Sequence, residues 1–205
     1  MNRSSYNRIA TQWDAARHAF HGREASYLDT LLQGLPPGAT VLDVGCGTGR
    51  PMAEAIIERG LRVIGIDQAD QMLSLARTRF PDQQWVQAAI ETHPFAERHD
   101  AALIWDALFH IDRTHHAAIL GRVVAGLPMG GRLMLTVGGS AHPAFTDEMF
   151  GQPFFYDSHT PEQTRAILEG LGCRVVWAEF MNLPDGGRDK GRYALMVTRE
   201  GAVPG

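Results

Sequence analysis

The feature that most constrains this chain is an apolar segment that runs directly into closely spaced glycines. Residues 41–44 are followed by Gly45, Gly47 and Gly49 at alternate positions. Glycine has no Cβ, so the backbone there can turn sharply and approach a ligand closely. The amides at the start of a helix after such a turn favour a carboxylate or a phosphate. The pattern therefore predicts a buried strand, a ligand-binding turn and a helix in succession.

One acidic residue precedes this turn, and a second one ends the next apolar segment. Asp43 lies just ahead of the turn, where it can meet an ammonium group, and residues 62–66 run into Asp67. An acid about 20 residues after a glycine loop can accept hydrogen bonds from the hydroxyls of a ribose. The alternative is a purely structural turn with a solvated Asp67, which would not need three glycines with their cost in backbone entropy.

Apolar runs and helical periodicities alternate along the rest of the chain. Strands regularly interrupted by helices pair in parallel through right-handed crossovers. The last two predicted strands are separated by a turn without a helix, so we expect them to pair antiparallel at one edge. The predicted strands are residues 40–44, 62–66, 84–87, 101–105, 132–137, 174–180 and 193–198, and the predicted helices are residues 6–20, 24–33, 51–59, 70–79, 113–127 and one that Thr160 caps.

The fold class predicted from this order is α/β, a Rossmann-like doubly wound sheet. It has seven mostly parallel strands, an antiparallel edge strand and a helical N-terminal cap. We predict that residues 1–34 form the cap and residues 35–205 the main domain, with a lid insertion at 138–159. A long segment of this kind inside a domain is typical of a functional lid.

Composition limits the classes of partner. The net charge of −4 argues against a nucleic-acid surface, which is usually strongly basic. No apolar run reaches the ~20 residues of a membrane helix, and the first residues lack the apolar region of a secretory signal. With only Cys46 and Cys173, no disulfide framework is indicated. We therefore expect a soluble, cytoplasmic monomer or homodimer that binds neither nucleic acid nor membrane.

The segment Asp43-Val44-Gly45-Cys46-Gly47-Thr48-Gly49 resembles motif I of the class I methyltransferases that depend on S-adenosylmethionine (SAM), and residues 67–73 are similar to that family's second motif. The resemblance covers about residues 38–138. It implies that the loop holds the methionine part of SAM, Asp67 the ribose, and Gln68 and Met72 the border of the adenine. The cofactor-binding residues predicted in this way are Asp43, Gly45, Cys46, Gly47, Asp67, Gln68, Met72, Ala89, Ile90 and Trp105.

One position departs from the family pattern. The family usually carries an acid after the third strand, where this chain has Ala89. Ile90 can still cover the adenine, with Glu91 or a backbone carbonyl in the polar role. A nicotinamide dehydrogenase is the nearest rival, but its Gly-x-Gly-x-x-Gly fingerprint would need a glycine where Arg50 stands.

The end of the fourth predicted strand carries the candidate catalytic residues, Asp106 and His110. Methyl transfer needs mainly positioning, and a general base only when the acceptor is protonated. His110 is equally compatible with a structural histidine bonded to backbone. His110, Asp112, His115 and His116 do not have the spacing of a known zinc signature, and Asp112 is better explained as a helix N-cap, so no metal is predicted.

The predicted cap and lid are rich in aromatic residues. We expect Tyr6, Trp13, His142 and Tyr156 to contact the substrate, although side chains of this kind also pack a cap onto a domain. The function predicted is methyl transfer from SAM to a small molecule at oxygen, nitrogen or carbon, with S-adenosylhomocysteine (SAH) as the product. The alternatives are a different use of SAM, such as an intramolecular cyclisation, or a non-catalytic SAM-binding protein.

Overall fold

The predicted alternation of helices and strands is present in the structure, a computed structural model that describes residues 2–187 and 189–202. The helices are α1 (Asn2–Ala16), α2 (Glu24–Leu32), α3 (Met52–Glu58), α4 (Asp70–Arg79), α5 (His116–Gly126) and α6 (Pro161–Gly170). The strands are β1 (Thr40–Val44), β2 (Arg62–Asp67), β3 (Gln84–Gln87), β4 (Ala101–Ile104), β5 (Arg132–Gly138), β6 (Phe145–Met149), β7 (Gln152–Tyr156), β8 (Cys173–Asn182) and β9 (Arg192–Arg199). Two 3₁₀ turns span Leu108–His110 and Arg113–His115.

Seven strands form one sheet in the order β3-β2-β1-β4-β5-β9-β8. The first five of these pair in parallel, and β9 pairs antiparallel with both β5 and β8. The predicted fold class is confirmed, including the antiparallel edge. The strand order reverses between β1 and β4, and in such sheets a ligand binds beyond the carboxyl ends of the strands at this point.

Alternate residues of the central strands enter two separate cores. Leu42 and Val44 of β1 face a core shared with α5 and α6, whereas Val41 faces a core shared with α2 and α3. The alternation follows from the two-residue repeat of a strand, and burial on both faces explains why the central strands are almost wholly apolar. The sheet is therefore a rigid platform for the loops at its carboxyl edge.

The helix α1 lies outside these two layers and forms a third cluster. Its Ile9 and Ala10 pack with Ala69 and Met72 of the α4 region and with Phe154 of β7. This cluster holds α1 beside the carboxyl ends of the strands. Within the described residues, no helix is both long and apolar enough to cross a membrane.

Two helices differ from the prediction by more than one residue at an end. The predicted helix 6–20 begins at Asn2 and ends at Ala16, where Nδ1 of the His18 side chain lies 2.7 Å from the carbonyl oxygen of Ala15 and satisfies one of the last carbonyls of the helix. The predicted helix 113–127 is divided into a 3₁₀ turn and α5. Asp112 does cap this segment, since its carboxylate accepts the N–H of Thr114 at 2.9 Å.

The predicted lid, residues 138–159, is not an irregular loop but contains the hairpin β6–β7. Its turn is Phe150-Gly151, in which both residues have positive φ, 50° and 70°. Turns with this geometry are usually signalled by Asn-Gly or Asp-Gly. Phenylalanine in the first position gave no such signal, so the strands were not predicted.

Candidate cofactor and acceptor site

A cleft of about 830 Å³ opens at the carboxyl ends of β1, β2 and β4. It contains most of the residues that the sequence analysis selected for the cofactor, catalysis and substrate. The residues that line it are Tyr6, Trp13, Arg17, Asp43, Gly45, Cys46, Gly47, Arg50, Pro51, Met52, Asp67, Gln68, Met72, Ile90, Glu91, Trp105, Asp106, Ala107, His110 and Ile111. Of the selected residues, Ala89, His142 and Tyr156 lie outside it.

The glycine loop has a backbone that other residues could not adopt without strain. Gly45, Gly47 and Gly49 have φ values of 79°, 53° and 79°. A Cβ on Gly45 would lie 2.3 Å from the Cβ of Ala107, whereas one on Gly47 would lie 3.8 Å from Nε1 of Trp13. Gly45 is therefore required for packing against the segment after β4, and Gly47 leaves room between the loop and α1.

Asp67 connects the end of β2 to this loop. Its Oδ2 accepts the N–H of Gly47 at 2.9 Å and its Oδ1 accepts the N–H of Ala69 at 2.8 Å. Burial raises the pKa of the Asp67 carboxyl, and these backbone donors oppose the rise. The carboxylate is thus fixed before any ligand arrives, with further lone pairs available to hydroxyl groups.

Asp43 at the end of β1 is buried near Asp67. Burial, and then the negative charge of Asp67, raise the pKa of Asp43 to about 7. A second buried carboxylate next to the first is costly unless a cation compensates it. This pair of acids therefore favours a ligand that carries both hydroxyls and a positive charge.

The far wall of the cleft is apolar. Met72 of α4 and Ile90 after β3 are both buried and line it, and Gln68 and Glu91 add polar groups. Ala89 points elsewhere, since it is exposed in a turn where its carbonyl accepts the N–H of His93. The wall is suited to a flat heterocycle held by contacts with side chains.

His110 and Tyr6 form a hydrogen-bonded pair on the opposite wall. Nδ1 of His110 lies 3.0 Å from the carbonyl oxygen of Phe155, which can only accept, so Nδ1 carries the proton. Nε2 is therefore the acceptor, and the Tyr6 hydroxyl donates to it at 2.9 Å. Burial lowers the pKa of His110 to about 4. The imidazole is neutral at physiological pH, with one lone pair directed at Tyr6.

Asp106 belongs to a cluster of charged side chains, of which Asp106 and Arg17 line the cleft. Nε of Arg192 lies 2.8 Å from its Oδ1, and a terminal nitrogen of Arg17 lies 3.7 Å from its Oδ2. The fully buried Glu24 accepts hydrogen bonds from both arginines, at 2.7 and 2.8 Å, and from the indole of Trp105 at 3.0 Å. The charges of the two arginines therefore balance those of Asp106 and Glu24 just after the end of β4.

Polar contacts also fasten α1 to the glycine loop and to α4. One nitrogen of Arg79 donates to the carbonyl of Thr48 at 2.9 Å and another to Asp14 at 2.8 Å. Asn7 donates to Asp70 at 2.8 Å. The helix forms one side of the cleft.

His142 and Tyr156 line a second cleft of about 750 Å³, together with Phe109, Phe145, Lys190 and Arg192. The ring of Tyr156 lies 4.7 Å from that of His110, so these two side chains separate the clefts. Substrate contacts for His142 and Tyr156 remain a prediction. Of the histidines considered for a metal, His115 is exposed and His116 is buried with Nε2 at 2.9 Å from the carbonyl oxygen of Ile111.

Sequence reasoning missed three residues of the charged cluster. Arg17 follows Trp13 by four positions, a spacing that places both on one helical face, and this signal could have found it. Glu24 and Arg192 have no local signal, because only the tertiary fold brings α2 and the first residue of β9 to the end of β4.

Comparison with known proteins agrees with this geometry. Residues 41–131 match the family model described as a methyltransferase domain. The chain is 34% identical over 127 residues to trans-aconitate 2-methyltransferase of Rhizobium meliloti (59% of this chain, 48% of that protein). It is 43% identical over 68 residues to 2-phytyl-1,4-naphtoquinone methyltransferase of Thermosynechococcus vestitus (30% of each). The matches thus span about half or less of these relatives.

The fold is also that of solved methyltransferases. Magnesium protoporphyrin IX methyltransferase from Synechocystis PCC 6803, solved with bound SAM, superposes with a TM-score of 0.73 at 16% identity, over 97% of this chain and 95% of that one. The methyltransferase-domain match agrees with the resemblance that the glycine loop indicated, and the Synechocystis structure shows SAM bound in a protein of this fold.

Proposed function

We propose that this chain, which carries a methyltransferase domain of the class I SAM-dependent family, binds SAM in the cleft and transfers its methyl group to a small molecule. One observation carries the proposal. The buried Asp43 and the partly exposed Asp67 line the same cleft as Asp106 and His110. Groups suited to a ribose and an ammonium thus adjoin groups suited to an acceptor.

The residues of the cleft fit SAM. Asp67 has lone pairs left for the ribose hydroxyls, and Asp43 supplies a carboxylate for the ammonium group. Gly47 leaves the space that a ligand chain needs beside the loop. Met72 and Ile90 offer apolar contacts to the adenine, with Gln68 at its border. SAM supplies a methyl group already activated by a positively charged sulfur, so the protein contributes chiefly positioning, worth about 7–11 kcal/mol.

The acceptor side of the cleft is formed by Tyr6, Trp13 and Arg17. His110 holds a proton at Nδ1 through the carbonyl of Phe155, so only Nε2 is free to accept one. An acceptor hydroxyl that replaced the Tyr6 hydroxyl at this nitrogen would give its proton to Nε2. His110 is therefore proposed as the general base for an acceptor that is protonated at neutral pH.

The relatives support a small acceptor. Their names refer to trans-aconitate, a phytylated naphtoquinone and magnesium protoporphyrin IX. These molecules differ widely in shape and charge, so they support the class of acceptor rather than one compound. The same fold hosts many chemistries, and the acceptor follows from the site rather than the fold.

The test is incubation of the protein with SAM and a panel of small carboxylates, phenols, quinols and amines, followed by mass spectrometry. The proposal predicts SAH together with an acceptor heavier by one methylene unit. The matched variant Asp67→Asn should give neither product. Consumption of SAM to methylthioadenosine without SAH would contradict methyl transfer and indicate another use of SAM.

A further inference from the structure

We propose that Arg192, the first residue of β9, is a positioning residue of this site: with Glu24 it holds the Asp106 carboxylate at the cleft as a fixed negative charge for a cationic ligand. The inference rests on the proposed function, because the cationic ligand in question is SAM. Arg192 itself lies behind the wall formed by Asp106 and acts through that residue.

The backbone of Asp106 is held in an unusual conformation. Its φ is +54°, in the left-handed region that few residues other than glycine, asparagine and aspartate adopt readily. Its N–H donates to Oγ1 of Thr136 at 2.8 Å, and that hydroxyl donates to Oδ1 of Asp106 at 3.1 Å. Strained conformations persist where the surroundings determine them, and they concentrate at functional sites. Thr136 of β5 therefore orients the carboxylate, in addition to the backbone conformation of Asp106 itself.

Arg192 supplies the nearest positive charge. Its Nε lies 2.8 Å from Oδ1 of Asp106, although the N–H is not aligned for a hydrogen bond, so the contact is an ion pair. Arg192 pairs with Gly138 of β5 on one side and with Asn182 of β8 on the other. The paired backbone and the hydrogen bond that a terminal nitrogen of Arg192 donates to Glu24 at 2.8 Å limit the movement of the guanidinium. Its position therefore sets that of Asp106.

Glu24 completes the arrangement from α2. It is 0% exposed and accepts hydrogen bonds from Arg17, Arg192, Trp105 and the backbone N–H of His21. Because Glu24 offsets part of the charge of the arginines, the cluster is neutral overall. Arg192 thus orients Asp106 without making the cleft positive, which would repel a sulfonium.

The ionisation of Asp106 depends on these neighbours. Burial raises the pKa of its carboxyl, Arg192 and then Arg17 lower it, and Glu24 raises it. Tyr6 of α1 is a further titratable group that interacts electrostatically with Asp106. Without Arg192, the carboxyl keeps its burial and its anionic neighbour Glu24, so it would accept a proton at a higher pH.

SAM and SAH provide a direct probe of this charge. They share the adenosine, the ammonium and the carboxylate, and only SAM carries a positive charge at sulfur. Protonation of the ammonium and carboxylate groups affects both ligands, so its effect cancels in the ratio of their affinities. Asp43, whose pKa is raised to about 7, also titrates between pH 5 and 8.5, but it is present in every variant of the series.

The experiment is calorimetric titration of the full chain with SAM and with SAH between pH 5 and 8.5. The variants are Arg192→Gln, Arg192→Lys and Asp106→Asn, and the control is Arg174→Gln, which breaks an exposed pair with Glu200. Asparagine also tolerates the left-handed region, so Asp106→Asn keeps the backbone. Thermal melting of each variant checks that it is folded.

We expect the preference for SAM over SAH to weaken as the pH falls in the wild type. In Arg192→Gln this loss should occur at a pH higher by about one unit. At pH values between the two midpoints the preference should then be about three- to tenfold smaller than in the wild type. Arg192→Lys and Arg174→Gln should follow the wild type closely. In Asp106→Asn, the change in preference with pH that comes from the Asp106 carboxyl should be absent.

Equal losses of SAM and SAH affinity in Arg192→Gln at every pH would overturn the proposal, because Arg192 would then be only structural. A wild-type pH profile identical to that of Asp106→Asn would also overturn it. Both results leave the proposed function intact. Failure of the wild type to bind either ligand would instead reject the proposed function, and this inference with it.

Discussion

At the scale of single residues, Asp67 joins two parts of the site that are distant in sequence. Its two oxygens are held by the amides of Gly47 and Ala69, so the glycine loop and the end of β2 have a fixed relation. A carboxylate bound by backbone donors is oriented at no entropic cost to the ligand. Asp67 therefore has both a structural and a binding role.

Asp67→Asn is expected to weaken SAM binding by about 100-fold, since hydrogen bonds to a charged acceptor contribute about 1.5–3 kcal/mol each. The amide would also place a donor group against a backbone N–H. Calorimetric titration measures the affinity. The matched control is Asp82→Asn on the exposed turn before β3, which should bind SAM like the wild type.

His110 provides a prediction on protonation. Because burial lowers its pKa to about 4, its imidazole should stay neutral from neutral pH down to mildly acidic pH. An NMR titration of the His110 Cε1–H signal, assigned with His110→Gln, should show a midpoint near this value. A midpoint at the ordinary histidine value of about 6.5 would contradict the buried pair with Tyr6.

At the scale of elements, α1 and the hairpin β6–β7 complete the cleft that the sheet begins. Asn2 donates to the carbonyls of His110 and Phe155 and accepts the N–H of Phe155. Ser5 donates to the carbonyl of Pro153 at 2.7 Å. The fully buried Phe154 packs against α1, with its ring 4.7 Å from that of Tyr6. The two elements therefore form one unit.

Phe154→Ala should loosen this unit, because truncation of a buried phenylalanine costs about 3–5 kcal/mol. We expect faster hydrogen exchange in α1 and in the hairpin, unchanged exchange in β1 and β4, and weaker SAM binding. Phe150→Ala is the matched control, since that side chain is 45% exposed on the turn of the same hairpin. Equal acceleration throughout the sheet would contradict a separate unit.

The sheet was predictable because its signals are local. The apolar runs of β1 and β2 and the glycines gave the strands and the loop, and the capping box of Thr160 and Gln163 is present with both hydrogen bonds. The hairpin was missed because Phe150-Gly151 adopts a turn that its sequence does not signal. Within the site, the placement of His142 and Tyr156 depends on that hairpin, and no local pattern encodes it.

The charged cluster could not be predicted for a different reason, namely that its members are distant in sequence. Glu24 and Arg192 are 168 residues apart in sequence, yet their side chains lie 2.8 Å apart. Such a contact follows from the position of β9 between β5 and β8, and from α2 packing on the sheet. The sequence predicted the sheet and its antiparallel edge but not which side chains would meet behind β4.

At the scale of the whole molecule, Glu24 links the N-terminal helices to the last strand. Burial raises the pKa of its carboxyl, but the bonds from His21, Trp105 and Arg17 outweigh this, and the pKa is lowered overall. A carboxyl with a depressed folded pKa stabilises the protein above its unfolded pKa of about 4.3, and this stabilisation is lost as the pH falls further.

Glu24→Ala should lower the free energy of unfolding at pH 7 by about 3 kcal/mol, because it leaves the partly buried Arg17 and Arg192 without this partner. The difference from the wild type should shrink below about pH 4. Thermal melting across this pH range measures it, with the exposed Glu169→Ala as control. A melting temperature within a degree of the wild type would contradict a structural role for the cluster.

The central claim, that this cleft is a SAM site, is tested most directly by calorimetric titration of the wild-type protein with SAM, SAH and NADH. We expect saturable binding of SAM and SAH at one site per chain, a weakening of both by about 100-fold in Asp67→Asn, and no binding of NADH. Binding of NADH without SAM or SAH, or no binding of the adenosyl ligands at all, would contradict it.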